Sequence, residues 1–523
     1  MKRKTILSAI TGAALLLLAA SCANDNASQD DPKQEPGTEG LTAFVIEDNN
    51  QATKGTATRT TAEYDGSGLN FYWTAGDRLW VNKAASGTPD LLQDKKNNIG
   101  QKLVNSTVPS GVKRAAKASF WFEGNFTADQ YKVRYTGQNG TKDKVTIAAA
   151  QTQTVPNDAS HIATDGDCGV ATAQKQGNNR YSFMLDHKAA YITFMPYTNQ
   201  GVISGAKIRK IRVFTGNTSD ALAGTFDLAD DGTLSNPAST SNSVELTVNN
   251  FSIPTTSTYA TNGATMVVNP GTYNNVCIEY TVHDPVTLVT GTITKTYPSV
   301  TFTAGRNKKV HTDLQVTVYG QNGYYMWDAA VGWHYWYGYL DFDGKPKLGN
   351  YPQDNSDFRW YRIDASVPAP AANRSAKDCP NVNEVLWYVK QGDSHWDNEL
   401  WATMGHLFQG GVWLKKKAKI SGFTDSNYNG TDYRTTGDAT IFSNFSNINT
   451  PGKPINLNDY FYLPALGYYG FGTFFDVGSA CYYWSSTPSP WSTITAYSLA
   501  FNSGYVYVNN GNRNGGFPLW RAK

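Results

Sequence analysis

Near its C-terminal end the chain reads Ser498-Leu499-Ala500-Phe501-Asn502-Ser503-Gly504-Tyr505-Val506-Tyr507-Val508-Asn509. Apolar residues alternate with polar, small or tyrosine residues on both sides of the turn Asn502-Ser503-Gly504. Successive side chains of a strand point to opposite faces, so this alternation predicts a β-hairpin. We expect one face of it to be buried, the face formed by Leu499, Phe501, Val506 and Val508.

The opposite face of this hairpin has a composition suited to recognition. It carries tyrosine and asparagine, and the chain then continues into Asn510, Asn512 and Asn514. Tyrosine offers a large amphipathic contact area at low entropic cost, while serine, glycine and asparagine supply adaptable hydrogen bonds. The pattern therefore indicates a binding surface. The alternative is an ordinary solvated strand face.

Composition limits the number of domains and the kinds of partner. A length of 523 residues suggests about three domains. Charged residues make up 17% of the chain and the net charge is +2, which indicates neither nucleic acid nor an anionic membrane surface as a partner. Of the 14 tryptophans, three (Trp73, Trp80 and Trp121) precede residue 322. This asymmetry indicates two regions with different roles.

The first 40 residues have the pattern of an export signal followed by a tether. A basic segment (residues 2–4) precedes an apolar stretch (6–20), and small residues stand directly before Cys22. This resembles a bacterial lipobox, and the residues after it resemble the tethers of surface lipoproteins in Bacteroides-like bacteria. We predict a lipoprotein signal peptide over 1–21, lipidation of Cys22, a disordered tether over 22–40 and an outer-membrane, cell-surface location. The alternative is an uncleaved core helix.

Four further cysteines stand at Cys168, Cys277, Cys379 and Cys481. Four cysteines allow three disulfide pairings, and the sequence does not choose among them. Free thiols are the other alternative. The spacing matches no zinc motif.

From residue 41 to about 319 the chain consists of short alternating segments separated by glycine-rich and asparagine-rich turns. This pattern is typical of β-sandwiches. We predict one sandwich over 41–199 and a second over 200–320. The expected strands include Leu41–Ile46, Asn70–Trp73, Leu79–Val81, Tyr191–Phe194, Ile208–Phe214, Val276–Val282 and Val310–Val318.

Motifs in this region resemble the fimbrillin (Mfa-like) family of Bacteroides-type pilins. They are Leu41–Ile46, Ala57-Thr58-Arg59-Thr60, Trp73-Thr74-Ala75-Gly76-Asp77, Leu185-Asp186-His187-Lys188-Ala189-Ala190 and Phe302-Thr303-Ala304-Gly305-Arg306-Asn307-Lys308-Lys309-Val310. The resemblance covers about 280 residues and implies two tandem transthyretin-like β-sandwiches.

The same resemblance implies a route of assembly. Pilins of this kind are exported as lipoproteins and cut after an arginine, and Arg59 fits that position. Cutting there would remove Leu41–Ile46, and a strand donated by another pilin subunit would refill the groove. The alternative for Arg59 is a solvated loop residue.

The region 322–523 differs in composition from the preceding one, because it is dense in aromatic residues. Asn383–Tyr388 and Asn398–Leu407 are predicted as short helices, and Gly411–Leu414 and Tyr462–Ala465 as strands before the terminal hairpin. Two helices with a small irregular sheet predict an α+β domain.

Motifs in this second region resemble C-type-lectin-like domains of bacterial surface proteins, including major paralogous domains and variable proteins diversified by retroelements. They are Cys379-Pro380, Tyr462-Leu463-Pro464-Ala465-Leu466-Gly467-Tyr468, Tyr483-Trp484-Ser485-Ser486-Thr487, Ala496-Tyr497-Ser498-Leu499 and Asn512-Arg513-Asn514-Gly515-Gly516-Phe517-Pro518. With that fold, the candidate ligand-binding residues are Tyr469, Phe471, Trp491, Ser498, Ala500, Asn502, Tyr505, Tyr507, Asn509, Asn510, Asn512 and Asn514.

Signals for catalysis or metal binding are weak. The stretch Asp425–Gly430 matches the start of a calcium loop, but Thr436 stands where a bidentate glutamate is required. None of the seven histidines lies in an HExxH pattern or beside a GxSxG motif. We therefore predict no cofactor, no metal site and no enzymatic activity.

These observations predict a surface adhesin, the tip subunit of a fimbrillin-type pilus. About 200 residues follow the pilin-like region, so such a subunit is expected to accept a donated strand rather than donate one. The expected partners are other pilin subunits and a glycan or protein ligand on a host or bacterial surface, with membrane contact only through the lipid and no nucleic acid. The main alternative is a monomeric outer-surface lipoprotein that captures glycans for uptake. A surface-glycan enzyme is a third.

Overall fold

The computed structural model describes residues 35–46, 61–66, 68–106, 108, 111–177, 179–436 and 445–523. The signal peptide, Cys22 and Arg59 lie outside these residues. The chain is mainly β, with 45% strand and 8% helix, which confirms the predicted class at that level. Within the described ranges, no helix combines the length and apolar character needed to cross a membrane.

Up to residue 200 the strands are β1 (Thr42–Ile46), β2 (Thr61–Tyr64), β3 (Leu69–Tyr72), β4 (Trp80–Asn82), β5 (Leu91–Gln93), β6 (Lys96–Asn97), β7 (Val104–Asn105), β8 (Lys113–Arg114), β9 (Ser119–Phe122), β10 (Gln130–Tyr135), β11 (Lys144–Ile147), β12 (Ala150–Gln153), β13 (Asp158–Ala159), β14 (Gly169–Gly177), β15 (Arg180–Phe183), β16 (Asp186–His187) and β17 (Ala190–Phe194). Between residues 200 and 320 they are β18 (Lys207–Thr215), β19 (Ala223–Leu228), β20 (Leu234–Ser241), β21 (Ser243–Ser252), β22 (Ala264–Val268), β23 (Gly271–His283), β24 (Thr290–Phe302), β25 (Asn307–Val310) and β26 (Thr317–Val318).

After residue 320 the strands are β27 (Tyr324–Tyr325), β28 (His395–Thr403), β29 (His406–Lys415), β30 (Phe445–Asn447), β31 (Thr450–Pro451), β32 (Tyr460–Pro464), β33 (Tyr468–Gly470), β34 (Thr473–Phe475), β35 (Ala480–Pro488), β36 (Thr495–Asn502), β37 (Tyr505–Asn512) and β38 (Phe517–Pro518). The α-helices are α1 (Ile99–Lys102), α2 (Ile162–Asp165), α3 (Tyr259–Asn262) and α4 (Val382–Gln391).

Strand β1 lies inside the largest sheet, which has the order β5-β4-β10-β14-β15-β1-β9-β6 with β16 beside β14. It runs parallel to β15 and antiparallel to β9, so both of its backbone edges are paired. The ring of Phe44 is fully buried and packs on Phe122, Phe126 and Tyr181. The predicted first strand is confirmed, and it is an integral part of this core.

Three further sheets join segments from both sides of residue 200. They have the orders β11-β19-β20, β12-β21-β18-β23-β24 and β22-β17-β25. One continuous apolar core includes Phe71 and Ile147 together with Val213 and Val282. The predicted boundary at residues 199 and 200 therefore does not separate the sheets, because strand pairing joins segments that are distant in sequence.

Most of the strands expected in this region occur where the alternation places them. Tyr191–Phe194, Ile208–Phe214 and Val276–Val282 lie within β17, β18 and β23. The expected strand Val310–Val318 was wrong, since the chain leaves β25 at Val310, makes a single bridge at Asp313 and forms a ladder again in β26. Strand β26 runs parallel to β28 of the following region, so the two regions are joined through a shared ladder.

The C-terminal region, residues 322–523, contains α4 and several small sheets. The main ones have the orders β26-β28-β29-β32 (with β31 beside β28) and β30-β37-β36-β35. Helix α4 begins with a capping box, in which the Asn381 side chain accepts from the backbone N–H of Asn383 and Glu384, and Glu384 accepts from that of Asn381. The predicted helix Asn383–Tyr388 is thus confirmed within α4.

The second predicted helix, Asn398–Leu407, was wrong, because this segment forms the hairpin β28–β29. The turn Met404-Gly405 has positive φ at both residues, 51° and 84°, a conformation found in two-residue hairpin turns. Leu400 and Ala402 pack into the preceding region's core, whereas Trp401 packs into the C-terminal core. A strand buried on both faces has a continuous apolar sequence, which resembles that of a buried helix.

The four described cysteines are free thiols. Cys168, Cys379 and Cys481 are buried and Cys277 is half-buried. Burial raises the pKa of the Cys379 thiol to about 12, and it also raises the pKa of Cys168 and Cys481. Of the alternatives left open by the sequence, the free-thiol state is the one present.

Candidate ligand-binding face

The terminal hairpin forms the centre of a four-stranded antiparallel sheet. Strands β36 and β37 pair with each other, β35 flanks β36, and β30 flanks β37. The side chain of Asn502 closes the turn by accepting from the backbone N–H of Gly504 (2.8 Å) and Tyr505 (3.1 Å). The predicted hairpin and its turn are confirmed.

One face of this sheet is buried as the alternation predicts. Leu499, Phe501, Val506 and Val508 have at most 1% of their surface exposed. They belong to the same core as Val385 and Leu386 of α4. The helix therefore covers the inner face and fixes the orientation of the outer one.

The outer face presents a row of half-exposed rings, which we call the tyrosine face. Its members are Phe445, Tyr468, Phe475, Tyr482, Tyr505 and Tyr507. Tyr507 and Tyr482 stand on either side of Ala500 in neighbouring strands, and the Tyr507 hydroxyl donates to that of Tyr482 at 3.4 Å. Phe445 is the register partner of Tyr507 on the other side.

Ring contacts continue this face beyond the sheet. Tyr505 lies 5.5 Å from Tyr507, Tyr468 lies 4.9 Å from Tyr482, and Phe475 lies 5.4 Å from Tyr468, measured between ring centroids. Phe445, Phe475 and Tyr505 expose 53%, 40% and 43% of their surface. Five of the rings are joined by these contacts, and Phe445 stands beside Tyr507 as its register partner.

The ring of Phe517 lies beneath this surface and stabilises it. It stacks on Trp484 at 4.2 Å and on Tyr482 at 5.3 Å. It also lies close to two glycines, because a Cβ at Gly511 or Gly515 would stand 2.8 Å or 2.7 Å from its ring. The glycines of the terminal motif therefore make room for a buried ring.

Three predicted ligand residues lie below the surface and do not line it. Ser498 and Ala500 are fully buried, because the larger side chains of Asn509, Tyr482 and Tyr507 stand beside them in neighbouring strands. Tyr469 is also fully buried, stacked between Tyr335 and Phe474. In this short strand Tyr468, not Tyr469, points to the outer face.

The predicted asparagines have different positions. Asn509 lies on the outer face and donates to Ser498 at 3.1 Å. Asn510 follows the alternation of Val506 and Val508, so the structure places it on the inner face and not beside Asn509. Asn512 is exposed and Asn514 half-buried at the end of the hairpin.

Between these two asparagines lies Arg513, which the sequence analysis passed over. Its guanidinium is fully buried, contacts Asp364 at 2.6 Å and lies 4.1 Å above the ring of Trp327. Arg362 packs on the same ring at 4.9 Å and pairs with Asp328 at 2.7 Å. This ionic cluster fixes the end of the hairpin to the loops that precede α4, so Arg513 is a structural residue.

The two remaining predicted residues lie in turns, Phe471 between β33 and β34 and Trp491 between β35 and β36. Phe471 is 77% exposed in the turn between β33 and β34, with a φ of 51°. Trp491 is 38% exposed and lies 6.0 Å from Tyr497, which belongs to the inner side of the sheet. The structure therefore does not bring Trp491 together with the outer-face tyrosines.

Two hydroxyl groups of the face, those of Tyr507 and Tyr468, have raised pKa values and are neutral at physiological pH. Burial, reinforced by the hydrogen bond with Tyr482, raises the pKa of Tyr507. Burial and then the charge of Asp476 raise the pKa of Tyr468. The face therefore offers apolar ring surface together with protonated hydroxyls that can donate hydrogen bonds.

The face contains no evident machinery for catalysis or for a metal. Across the described ranges, no group of three or more histidine, cysteine, aspartate or glutamate side chains is arranged to bind a metal ion. In the calcium-like stretch, Asn427 accepts from the backbone N–H of Gly430, and Asp432 pairs with Arg434. The side chains of Asn383 and Trp387 donate to Asp432 and to the Asn427 carbonyl, both at 3.0 Å, so these loop oxygens are engaged in holding the loop to α4.

Phe445, Tyr468, Phe475 and Tyr482 are members of the face that the sequence analysis missed. A signal for Tyr482 was present, because it stands two residues before Trp484 on an alternating strand. Phe445 and Phe475 come from separate short strands, so the face they share with Tyr507 depends on pairing between distant segments.

No protein-family model and no curated protein matches the chain. Among solved structures, a fimbrial protein from Bacteroides ovatus is 11% identical, covering 91% of this chain and 98% of its own, with a TM-score of 0.21. A fimbrial assembly protein from Parabacteroides distasonis is 12% identical, covering 52% and 90%, with a TM-score of 0.23. A candidate cell adhesion protein from Bacteroides ovatus is 13% identical, covering 52% and 91%, with a TM-score of 0.30. TM-scores this low establish neither the fold nor the function of the present chain.

Proposed function

We propose that this chain is a surface adhesin, the tip subunit of a fimbrillin-type pilus, and that it binds its ligand through the C-terminal region. The observation that carries the proposal is the tyrosine face. Clustered half-exposed rings with hydrogen-bonding tips are typical of recognition surfaces, where tyrosine is enriched. Because α4 covers the other side of the sheet, the rings stand on a rigid support and lose little entropy on binding.

The contacts that hold the C-terminal region to the preceding region support the same role. The Asp284 carboxylate accepts from the Leu407 backbone N–H at 2.9 Å and contacts His406 at 3.2 Å, and the Thr287 hydroxyl donates to the Leu407 carbonyl at 2.8 Å. Leu400 and Leu407 add apolar contacts to the preceding core. A firm connection of this kind would transmit tension from a bound ligand to the rest of the protein.

The place of β1 supports assembly by strand exchange. Four of its residues pair with β15 and four with β9, and Phe44 fills a closed aromatic pocket. Cleavage after Arg59 would free this strand and leave two unpaired edges and an empty pocket. A donated strand with a large apolar residue at the position of Phe44 would restore both.

The connection between the two regions favours the tip position. Strand β25 runs parallel to β17, and β26 runs parallel to β28. Both strands at the end of the pilin-like region, β25 and β26, thus already have a strand partner within the molecule. A subunit built in this way would accept a strand through the β1 groove without offering one from this region.

The ligand-binding part of the proposal is tested with the variants Tyr507→Ser and Trp491→Ser of the full chain. The probes are a glycan array, host epithelial cells and bacterial cells. We expect Tyr507→Ser to lose tenfold or more in binding, as buried aromatic contacts at interfaces typically contribute about 2 kcal/mol or more. Trp491→Ser is the matched control, and it should bind as the native chain does. Equal binding by both variants would contradict the assignment of the face.

The assembly part is tested separately with Arg59→Ala. We expect the native chain to be cut after Arg59 and to enter a pilus, and the variant to keep its lipid and remain outside. If the native chain stays lipidated and uncut, the alternative of a monomeric glycan-capture lipoprotein is favoured. If Arg59→Ala assembles normally, cleavage at this residue is not the trigger.

A further inference from the structure

A polar cleft of about 620 Å³ lies where the two regions meet, and it shares no lining residue with the tyrosine face. One wall is residues 292–295 of β24, a second is residues 315–317, and a third is residues 397–400 of β28. Each wall consists of consecutive residues. Because neighbouring side chains of a strand point to opposite faces, a cavity lined by consecutive residues faces the edge of a strand rather than its side.

The edge of β24 is open along the cleft. Strand β24 is the last strand of the sheet β12-β21-β18-β23-β24, and it pairs with β23 over its whole length. In the part of the chain that the structure describes, its other edge has no strand partner. The backbone N–H and C=O groups on that edge therefore face the cleft.

The facing edge of β28 is open only in its middle. On this side β31 pairs with His395 and Trp396, and β26 pairs with Trp401 and Ala402. Residues 397–400 lie between these two partners and have no described strand beside them. Two of the three walls of the cleft are thus short open strand edges, one from β24 and one from β28.

A β-bulge shapes this open stretch. Asp397 is paired with Gly411 and Leu400 with Gln409, so Asn398 and Glu399 together stand opposite Gly410 alone. Bulges interrupt a ladder and re-aim side chains, and they occur often beside functional sites. Here the bulge places Glu399 in the cleft wall, where Lys453 pairs with it.

Contacts at its margins hold the walls of the cleft. Leu400 lies so close to Gly291 that a Cβ there would stand 2.3 Å from the Leu400 Cδ1 atom. The backbone of Val316 is bonded to the side chain of Gln200 through both its N–H (3.0 Å) and its carbonyl (2.9 Å). The first contact closes the cleft at the end where Gly291 and Leu400 meet, and the second holds the wall formed by residues 315–317.

We propose that this strand-edge cleft binds an extended peptide segment of a partner protein, which adds as a strand between β24 and β28. Main-chain hydrogen bonds to open edges provide affinity in this mode of recognition, and side-chain pockets provide specificity. Four wall residues on each side match a segment of about four residues, since a strand rises about 3.3 Å per residue. The walls contain threonine, glutamine, asparagine and charged residues, so the segment is polar. A saccharide fits less well, because no aromatic ring lines the described walls for stacking.

The test uses the full chain and a displayed library of random heptapeptides, followed by calorimetry and amide hydrogen exchange with a selected synthetic peptide. We expect one peptide to bind per chain and to slow amide exchange in residues 292–295 and 397–400. N-methylation of alternate peptide nitrogens removes backbone donors, and it should weaken binding tenfold or more.

Two variants of one strand provide the matched comparison. Thr294→Trp fills the cleft and should weaken peptide binding tenfold or more, whereas Thr301→Trp, exposed on the same strand outside the cleft, should not change it. The proposal is overturned if no peptide binds, if protection falls elsewhere, if N-methylation has no effect or if both variants bind equally. Glycan binding blocked by Thr294→Trp would also overturn it. Tyr507→Ser should leave peptide binding unchanged, so this result is independent of the tyrosine face.

Discussion

Strand β1 and the hairpin β36–β37 both lie within a sheet and have strand partners on both edges. They differ in exposure, because β1 is almost entirely buried, whereas the hairpin exposes rings on one face. Strand β1 is five residues long and buries Phe44 completely, so its sequence serves the core. The hairpin buries Leu499 and Val508 on one face and exposes rings on the other. The difference teaches that the core constrains nearly every position of β1, where only Val45 is partly exposed, whereas in the hairpin the core constrains one face and leaves the other open.

The largest effect is expected from a chain that begins at residue 60 and so lacks β1. Loss of Phe44 alone removes contacts worth about 3 to 5 kcal/mol, and the two neighbouring strands also lose their ladder partner. We expect the N-terminal core to melt at a much lower temperature while the tryptophan signal of the C-terminal region is retained. Thermal unfolding followed by tryptophan fluorescence measures both.

The control for this truncation is a synthetic peptide with the sequence Leu41–Ile46. Added in excess, it should restore much of the lost stability, and a peptide with alanine in place of Phe44 should not. An unchanged melting temperature of the truncated chain would show that β1 is not required for the stability of the N-terminal core.

A smaller effect is expected for Asp284→Ala, at the contact between the two regions. The carboxylate accepts from the backbone N–H of Val286 and Leu407, both at 2.8 to 2.9 Å, and unsatisfied buried donors cost about 1 to 3 kcal/mol. We expect the two regions to unfold in separate transitions in calorimetry. The exposed Asp186→Ala is the control, and a single unchanged transition would argue against a shared interface.

Ala500→Val tests whether the small residue under the tyrosine face is required. Added methyl groups between Tyr507 and Tyr482 should force the hydroxyls apart and destabilise the sheet by about 1 to 3 kcal/mol, as overpacking usually does. Ligand binding should fall with little change in the N-terminal region. Ser503→Val in the exposed turn is the control. Full binding by Ala500→Val would remove the Tyr507–Tyr482 pair from the site.

The last prediction is a pH dependence that arises from Asp165 in the N-terminal region. Burial raises the pKa of Asp165 to about 7. A carboxyl whose pKa is higher in the folded state favours folding when protonated, so its contribution is complete below about pH 4 and is lost as the pH rises towards 7. Asp165→Asn should therefore gain stability relative to the native chain over this range. Melting temperatures from pH 4 to pH 8 measure the difference, and a constant difference would contradict it.

His161 gives the opposite dependence of stability on pH, and it does so equally in the native chain and in Asp165→Asn. Burial lowers its pKa to about 4, so its contribution is present above about pH 6.5 and falls as the pH decreases towards 4. Comparing the native chain with Asp165→Asn cancels this common part. The hydroxyls of Tyr468 and Tyr507 in the C-terminal face should not titrate in this range, because their pKa values are raised.

Local alternation was sufficient to predict much of the fold. It predicted β1, the terminal hairpin and its turn, because period-two burial is a property of each strand by itself. It failed at Asn398–Leu407, where the segment packs between two cores and both faces are apolar. It also failed to predict which strands from either side of residue 200 share a sheet, since pairing depends on segments far apart in the chain.

For the candidate site, the sequence determined which kinds of residue the hairpin carries, and therefore its buried face and its tyrosines. Only the tertiary structure decided which of them reach the surface. Ala500 and Ser498 are covered by larger side chains in neighbouring strands, and Arg513 is buried by Trp327 and Asp364 from a distant loop. Whether a side chain is exposed depends on the residues that pack around it. Here those residues come from separate strands and loops, so the fold decides the exposure and the local sequence pattern does not.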